Sequence, residues 1–261
     1  MMYTLLTGAT GGLGRAFATL LAQNGEPLFL TARSEEKLCA LAEELESRYG
    51  VKVLYYPCLL HDERSREELF SYIGKEGLTF SRLVNAAGAD IQKAFEEYSQ
   101  EKIIFQTRVN FEAAVCLTRF VLSHRAESLE ILTVSSVSGI YPMPYFALYS
   151  ATKSALVSFF SALRTEWKGR GVKITTVLPG AMPTRGDIRE QIKGQGLWGK
   201  LAAKPPEWVA KKSLAAVCKN KRTYIPGFWN KMMAVFTAPI PLGVKMRFIA
   251  KRWSKLSKDA F

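Results

Sequence analysis

The chain has 261 residues, 48% of them apolar, which is the size and content of one large domain around one core. Its formal charge of +13 points to an anionic partner, while four scattered cysteines (Cys39, Cys58, Cys116, Cys218) and two isolated histidines (His61, His124) predict reduced thiols and no metal site. The longest uncharged stretches fall short of the roughly 20 residues of a membrane span, and the first strand-like run begins too near the start for a secretion signal, so a cytoplasmic protein is expected.

Taken in chain order, short β-rich runs alternate with longer helical patterns. Tyr3–Thr7, Leu28–Ala32, Val51–Pro57, Arg82–Ala86, Leu129–Ser135, Val172–Leu178 and Arg222–Ile225 read as strands, whereas Leu13–Gln23, Glu35–Tyr49 and Ala147–Lys168 have helical length and charge distribution. That alternation implies an α/β fold, a doubly wound parallel sheet of Rossmann type with about seven strands and helices on both faces. Residues 1–227 form the single expected domain, and ligands in such a sheet bind beyond the carboxyl ends of the strands. A Gly/Lys-rich stretch, 181–206, reads as a lid over that edge, and 228–261 is a basic extension.

The first strand runs directly into Thr7-Gly8-Ala9-Thr10-Gly11-Gly12-Leu13-Gly14 and then into a helix. Backbone N–H groups of Thr10, Gly12 and Leu13, with the positive helix end, can face a pyrophosphate while Gly8 and Gly14 admit close approach. At the end of the second strand an NAD-preferring site would offer a carboxylate to the ribose; here Ala32 is followed by Arg33, whose guanidinium suits a 2′-phosphate, so NADP(H) is the expected cofactor. Lys37, one turn later, adds charge or faces water.

Tyr149 and Lys153 stand four apart at the start of a helical run and so share a face. Spacing alone is weak evidence, because Tyr98 and Lys102 repeat it. Position separates the pairs: Tyr149 follows a β-rich run ending in Ser135-Ser136, where a strand-end site would lie, whereas Tyr98 reads as part of a polar, acidic helix. An ammonium about 4–5 Å from a phenol, at an effective dielectric of ~20, supplies roughly 3–4 kcal/mol, enough to bring a tyrosine pKa from about 10 toward neutrality.

Over about residues 3–226 the chain resembles the short-chain dehydrogenase/reductase family. Thr7–Gly14 fits that family's TGxxxGxG, Asn85-Ala86-Ala87-Gly88 resembles its NNAG with one Asn replaced, and Ser136 precedes Tyr149 at the family's spacing. Asn110 falls at the place of the tetrad asparagine, and Pro179-Gly180 with Thr184 resembles the segment that contacts the nicotinamide carboxamide. The resemblance implies that Ser136 hydrogen-bonds a substrate carbonyl, Tyr149 delivers the proton, Lys153 binds the nicotinamide ribose and depresses the Tyr149 pKa, and Asn110 holds a water linking Lys153 to solvent. Tyr149 and Lys153 thus also belong to the cofactor site, with Asn85 and Ala87. One departure is Cys58-Leu59-Leu60, where the family usually has an Asp touching adenine; Leu59 could still pack the ring.

The expected activity is NADPH-dependent reduction of a lipophilic ketone. Alternatives are reduction of 3-oxoacyl groups on an acyl carrier protein or CoA, or a cofactor-binding sensor or membrane-recruited scaffold. The resemblance also implies a homodimer or homotetramer through helices near Val109–His124 and Ala147–Lys168. From Phe228 to Phe261 there are seven basic residues against Asp259 alone, and no base-reading motif accompanies them, so nucleic acid is not an expected partner. A helical projection of 243–258 gathers Met246, Ile249, Ala250, Trp253 and Leu256 on one arc and the basic residues on the other, with Phe248 as misfit. Such a helix either lies peripherally on an anionic membrane surface or packs its apolar arc on protein.

Overall fold

β1 (Met2–Thr7), β2 (Leu28–Ala32), β3 (Val53–Pro57), β4 (Thr79–Asn85), β5 (Arg125–Val134), β6 (Val172–Val177) and β7 (Thr223–Tyr224) form one sheet in the order β3-β2-β1-β4-β5-β6-β7. Every pairing is parallel. The computed structural model describes residues 1–184, 186 and 201–253, with side chains through Lys251. Residues 185 and 187–200, the greater part of the expected lid, lie outside the described residues, as does 254–261. The two described ends of that stretch meet, the N–H of Lys204 donating to the carbonyl of Ala181 at 3.2 Å.

The two-residue period of the strands sorts their side chains into two layers. Leu6, Leu28, Leu30, Val84, Leu132 and Val177 pack beneath α1 (Gly12–Gln23), α2 (Glu35–Tyr49) and the helix Pro206–Cys218. Leu5, Phe29, Leu83 and Ile131, their immediate neighbours in sequence, face the opposite way, toward α3 (Glu63–Lys75), α5 (Ala113–Ser123) and α6 (Ala147–Glu166). Both faces of the sheet are thereby buried, as parallel sheets require.

The apolar pattern stops at one transverse row. Thr31, Thr7, Asn85, Thr133 and Thr176 are register partners across five adjacent strands, and all are buried. Beyond that row the chain enters the carboxyl-end loops, and the strand order reverses at β1/β4, which opens the crevice of a doubly wound sheet.

All seven expected strands are present. β4 and β5 begin earlier than their apolar patterns do: the polar residues Arg125, Glu127 and Ser128 belong to β5, and Arg125 pairs with Phe80 of β4 before the register shifts. Between α4 (Gln100–Thr107) and α5, residues Arg108–Glu112 make a turn of π-helix with Asn110 buried inside it.

The extension forms two helices, Phe228–Thr237 and Leu242–Trp253, interrupted at Pro239 and Pro241. It is pegged to the domain by Asn230, whose Nδ2 donates to the carbonyls of Ala202 and Pro226, both at 3.0 Å. A Cβ on Gly180 would come within 2.6 Å of that nitrogen.

Candidate active site

The glycine turn is dictated by contacts that leave no room for side chains. Gly8 has φ +66°, and a Cβ there would lie 2.9 Å from the Ala87 Cα; at Gly14 it would lie 2.0 Å from the Gly8 carbonyl oxygen. Thr7 Oγ1 accepts from the N–H groups of Ala86 (3.0 Å) and Ala87 (3.1 Å), tying the ends of β1 and β4 together. The side chains of Ser34, Asp62 and Ser99 cap α2, α3 and α4, but α1 begins at Gly11 without a side-chain cap. Its first N–H groups therefore face the mouth of the crevice.

These residues fit a dinucleotide. A Cβ on Gly12 would meet the Thr184 side chain at 2.8 Å, so the phosphate turn and the segment after β6 lie side by side. Arg33 and Lys37 are exposed at the β2–α2 junction, and Leu59, 44% exposed, offers an apolar surface at the end of β3. Thr10 is half-buried, whereas the Leu13 side chain packs into the core and leaves its backbone for the turn. Pro179 is held by its carbonyl, which accepts from the N–H of Val137 at 3.0 Å.

Asn85 differs from its expected role as a cofactor contact. Its side chain points into the protein, where Nδ2 donates to Thr118 and Thr133, both at 3.3 Å, and its buried Oδ1 has no protein partner. It lines a cavity of about 10 Å³, roughly the room of one water. Asn85 therefore braces β4 against β5 and α5, and its neighbours Ala86 to Gly88 are the residues that reach the crevice.

Asn110 grips both backbone polar groups of a single residue. Its Oδ1 accepts from the N–H of Ala89 (2.7 Å) and its Nδ2 donates to the Ala89 carbonyl (2.9 Å) and to Thr152 Oγ1 (3.1 Å). Gln106 also donates to that carbonyl, at 3.2 Å. The side-chain amide is thus committed to holding the 88–89 segment beside α6. A Cβ on Gly88 would stand 3.2 Å from Lys153 Nζ. Sequence reading did not find Thr152, which carries this link and donates in turn to the Tyr149 carbonyl at 2.8 Å; a hydroxyl inside a helix gave no signal.

The three serines after β5 divide their tasks. Ser135 is buried and donates to the Lys153 carbonyl at 2.7 Å. Ser138 is buried too, and its Oγ has no protein partner. Ser136 alone is half-exposed; its Oγ accepts from the N–H of Ser138 at 3.2 Å, which leaves its O–H to donate outward. Tyr149 lies in the first turn of α6, half-buried, with the Phe146 ring edge-on at 5.7 Å.

Lys153 Nζ sits 5.7 Å from the centre of the Tyr149 ring and donates to the Val134 carbonyl at 3.0 Å. Burial pushes its pKa down from 10.5 to about 8, and the charge of Asp90 works against that shift. The rival pair is dispersed: Tyr98 follows a short 3₁₀ turn, Phe95–Glu97, and its hydroxyl donates to the Ile91 carbonyl at 2.9 Å, while Lys102 belongs to the separate helix α4. Among the described residues no group of His, Cys, Asp and Glu could hold a metal ion.

A buried ammonium beside a phenol, and a half-exposed hydroxyl just after β5, thus stand at the carboxyl edge of a doubly wound sheet, and these are the groups that a carbonyl–alcohol oxidoreductase uses. The chain belongs to the short chain dehydrogenase family, whose model matches residues 3–193. It is 34% identical over 193 residues to the very-long-chain 3-oxoacyl-CoA reductase of Anas platyrhynchos, covering 70% of this chain and 60% of that protein. Among solved structures, a 7beta-hydroxysteroid dehydrogenase superposes with a TM-score of 0.84 at 24% identity, covering 95% of this chain and 96% of that one. The L-sorbose reductase of Gluconobacter frateurii, complexed with NADPH and L-sorbose, superposes with a TM-score of 0.77 at 23% identity over 87% of this chain and 95% of that one.

Proposed function

We propose that this protein is an NADPH-dependent reductase of lipophilic ketones, and that 3-oxoacyl thioesters of CoA are its preferred substrates. The observation that carries the reading is the disposition of Ser136, Tyr149 and Lys153, with Asn110 bracing the strand end beside them. The likeness to a very-long-chain 3-oxoacyl-CoA reductase supports the substrate class. The choice of NADP(H) rests on Arg33 just after β2, which follows Ala32 where an NAD-preferring site would offer a carboxylate.

In this mechanism the Ser136 hydroxyl donates to the substrate carbonyl oxygen and fixes its position. Tyr149 gives its phenolic proton to that oxygen as negative charge develops there. Lys153, held by the Val134 carbonyl, presents its positive charge beneath the tyrosine ring, stabilises the phenolate left behind and reaches toward the nicotinamide ribose. The bound nicotinamide supplies the hydride.

The test is consumption of NADPH and of NADH with 3-oxoacyl-CoA esters of increasing chain length and with simple ketones. Turnover should favour NADPH and longer chains, and Tyr149→Phe should lower kcat by roughly 10²–10⁴-fold while leaving NADPH binding intact. Absence of turnover on every substrate, or a Tyr149→Phe enzyme as active as the parent, would refute the proposal.

A further inference from the structure

The two C-terminal helices expose apolar surface where a solvated helix would present charge. Around Phe228–Thr237, at 100° per residue, Val235, Phe228, Phe236, Trp229 and Met233 are all exposed and fall on one outward arc, with Lys231 at its edge. The inward side holds Asn230, Ala234 and Thr237, and Met232, within the arc between Phe228 and Phe236, is half-buried. Ile240 and Leu242 extend the exposed apolar surface through the proline turn.

Of the two readings of the second helix, the structure agrees with the one that packs its apolar arc on protein. Met246, Ile249 and Ala250, the arc that could have faced a membrane, are half-buried, while the misfit Phe248 is 69% exposed. Its outward side carries Val244 and Phe248 interleaved with Arg247 and Lys251. The face made by both helices is therefore aromatic and aliphatic, with cations along it.

Charge decides the occupant. From Trp208 to Lys258 the chain has twelve Lys/Arg and not one Asp or Glu. In a two-fold contact between copies, this patch would meet itself, setting Lys231, Arg247 and Lys251 near their own equivalents with no carboxylate of the segment to offset them. An anionic bilayer satisfies both components, taking the aromatic side chains into its interface and the cations at headgroup level.

We propose that the outward face of the helix pair Phe228–Thr237 and Leu242–Trp253 docks on an anionic lipid surface. The pair is joined to the active-site loop: Tyr141, between Ser136 and Tyr149, shares a 2.7 Å hydrogen bond with Thr237 Oγ1 and donates to the Met233 carbonyl at 3.3 Å. Lys245 donates to the Thr237 carbonyl at 3.2 Å and lies 5.8 Å from the centre of the Tyr141 ring. Docking thus holds the mouth of the site at a fixed position relative to the lipid. That long-chain acyl substrates pass directly from lipid to site rests on the reductase reading; the docking itself does not.

The full chain is floated with phosphatidylcholine vesicles with and without phosphatidylserine. It should partition onto the anionic vesicles, and added salt should release it. Phe236→Ser with Phe248→Ser, and separately Lys231→Glu with Arg247→Glu, should each weaken partitioning by more than about tenfold at unchanged circular dichroism and Tm. Turnover of a short, soluble 3-oxoacyl thioester should be unaffected by either pair. A parent protein that ignores anionic vesicles, variants that float as well as the parent, or a solution mass that halves in the Phe variants would overturn docking, the last by assigning the face to a second copy. Lipid binding without turnover would overturn the reductase reading and leave the docking surface standing.

Discussion

Lys153 shows what the site costs the fold. Its pKa of about 8 against 10.5 means that burying the ammonium at pH 7 opposes folding by about 3 kcal/mol. Below pH 8 both folded and unfolded chains hold the proton and the penalty is full. Between about 8 and 10.5 only the unfolded chain holds it, so the penalty fades as pH rises. Lys153→Met should therefore raise Tm by several degrees at pH 7 while abolishing reduction, with the stability gain shrinking through that window; calorimetry across pH would check it. Reduction by the parent should decline above about pH 8 as the ammonium is lost. The pair was legible in the sequence only through its surroundings. The spacing of Tyr98 and Lys102 is the same, and their separation onto two different elements is a tertiary fact.

At the level of elements, the glycine turn makes a sharper statement than its motif. Gly11 and Gly14 look alike as letters, but a Cβ on Gly11 would approach the Gly8 carbonyl oxygen only to 3.3 Å, against 2.0 Å for Gly14. Gly14→Ala should destabilise the protein by more than about 3 kcal/mol and abolish NADPH binding, whereas Gly11→Ala should fold and bind nearly as the parent does; thermal melts and cofactor titration distinguish them. The strands were readable because burial on both faces writes continuous apolar runs, and the polar start of β5 was not readable for the same reason. Nothing in Arg108–Glu112 signals a π turn, so Asn110 could be placed by resemblance but its grip on Ala89 could not.

For the whole molecule, the +13 charge bears on substrate as well as on lipid. A CoA thioester brings phosphates to a strongly basic surface, so its KM should rise steeply with salt, whereas the KM of a neutral ketone should stay nearly flat. Steady-state kinetics at several ionic strengths would reveal the difference. The basic character of the extension was plain from its letters. Which side of it faced outward was not, because a helical projection cannot say where the body of the protein lies, and the apolar arc of Phe228–Thr237 emerged only from the fold.

The peg formed by Asn230 has a consequence for how this extension can be inherited. Its amide occupies the space that a side chain at position 180 would need, and position 180 belongs to the segment that follows β6. The extension and the catalytic body are therefore not interchangeable parts. A chimera that joined this extension to a relative carrying anything larger than glycine there would force the two apart, and a truncation upstream of Asn230 would remove the amide that ties the carbonyls of Ala202 and Pro226 together.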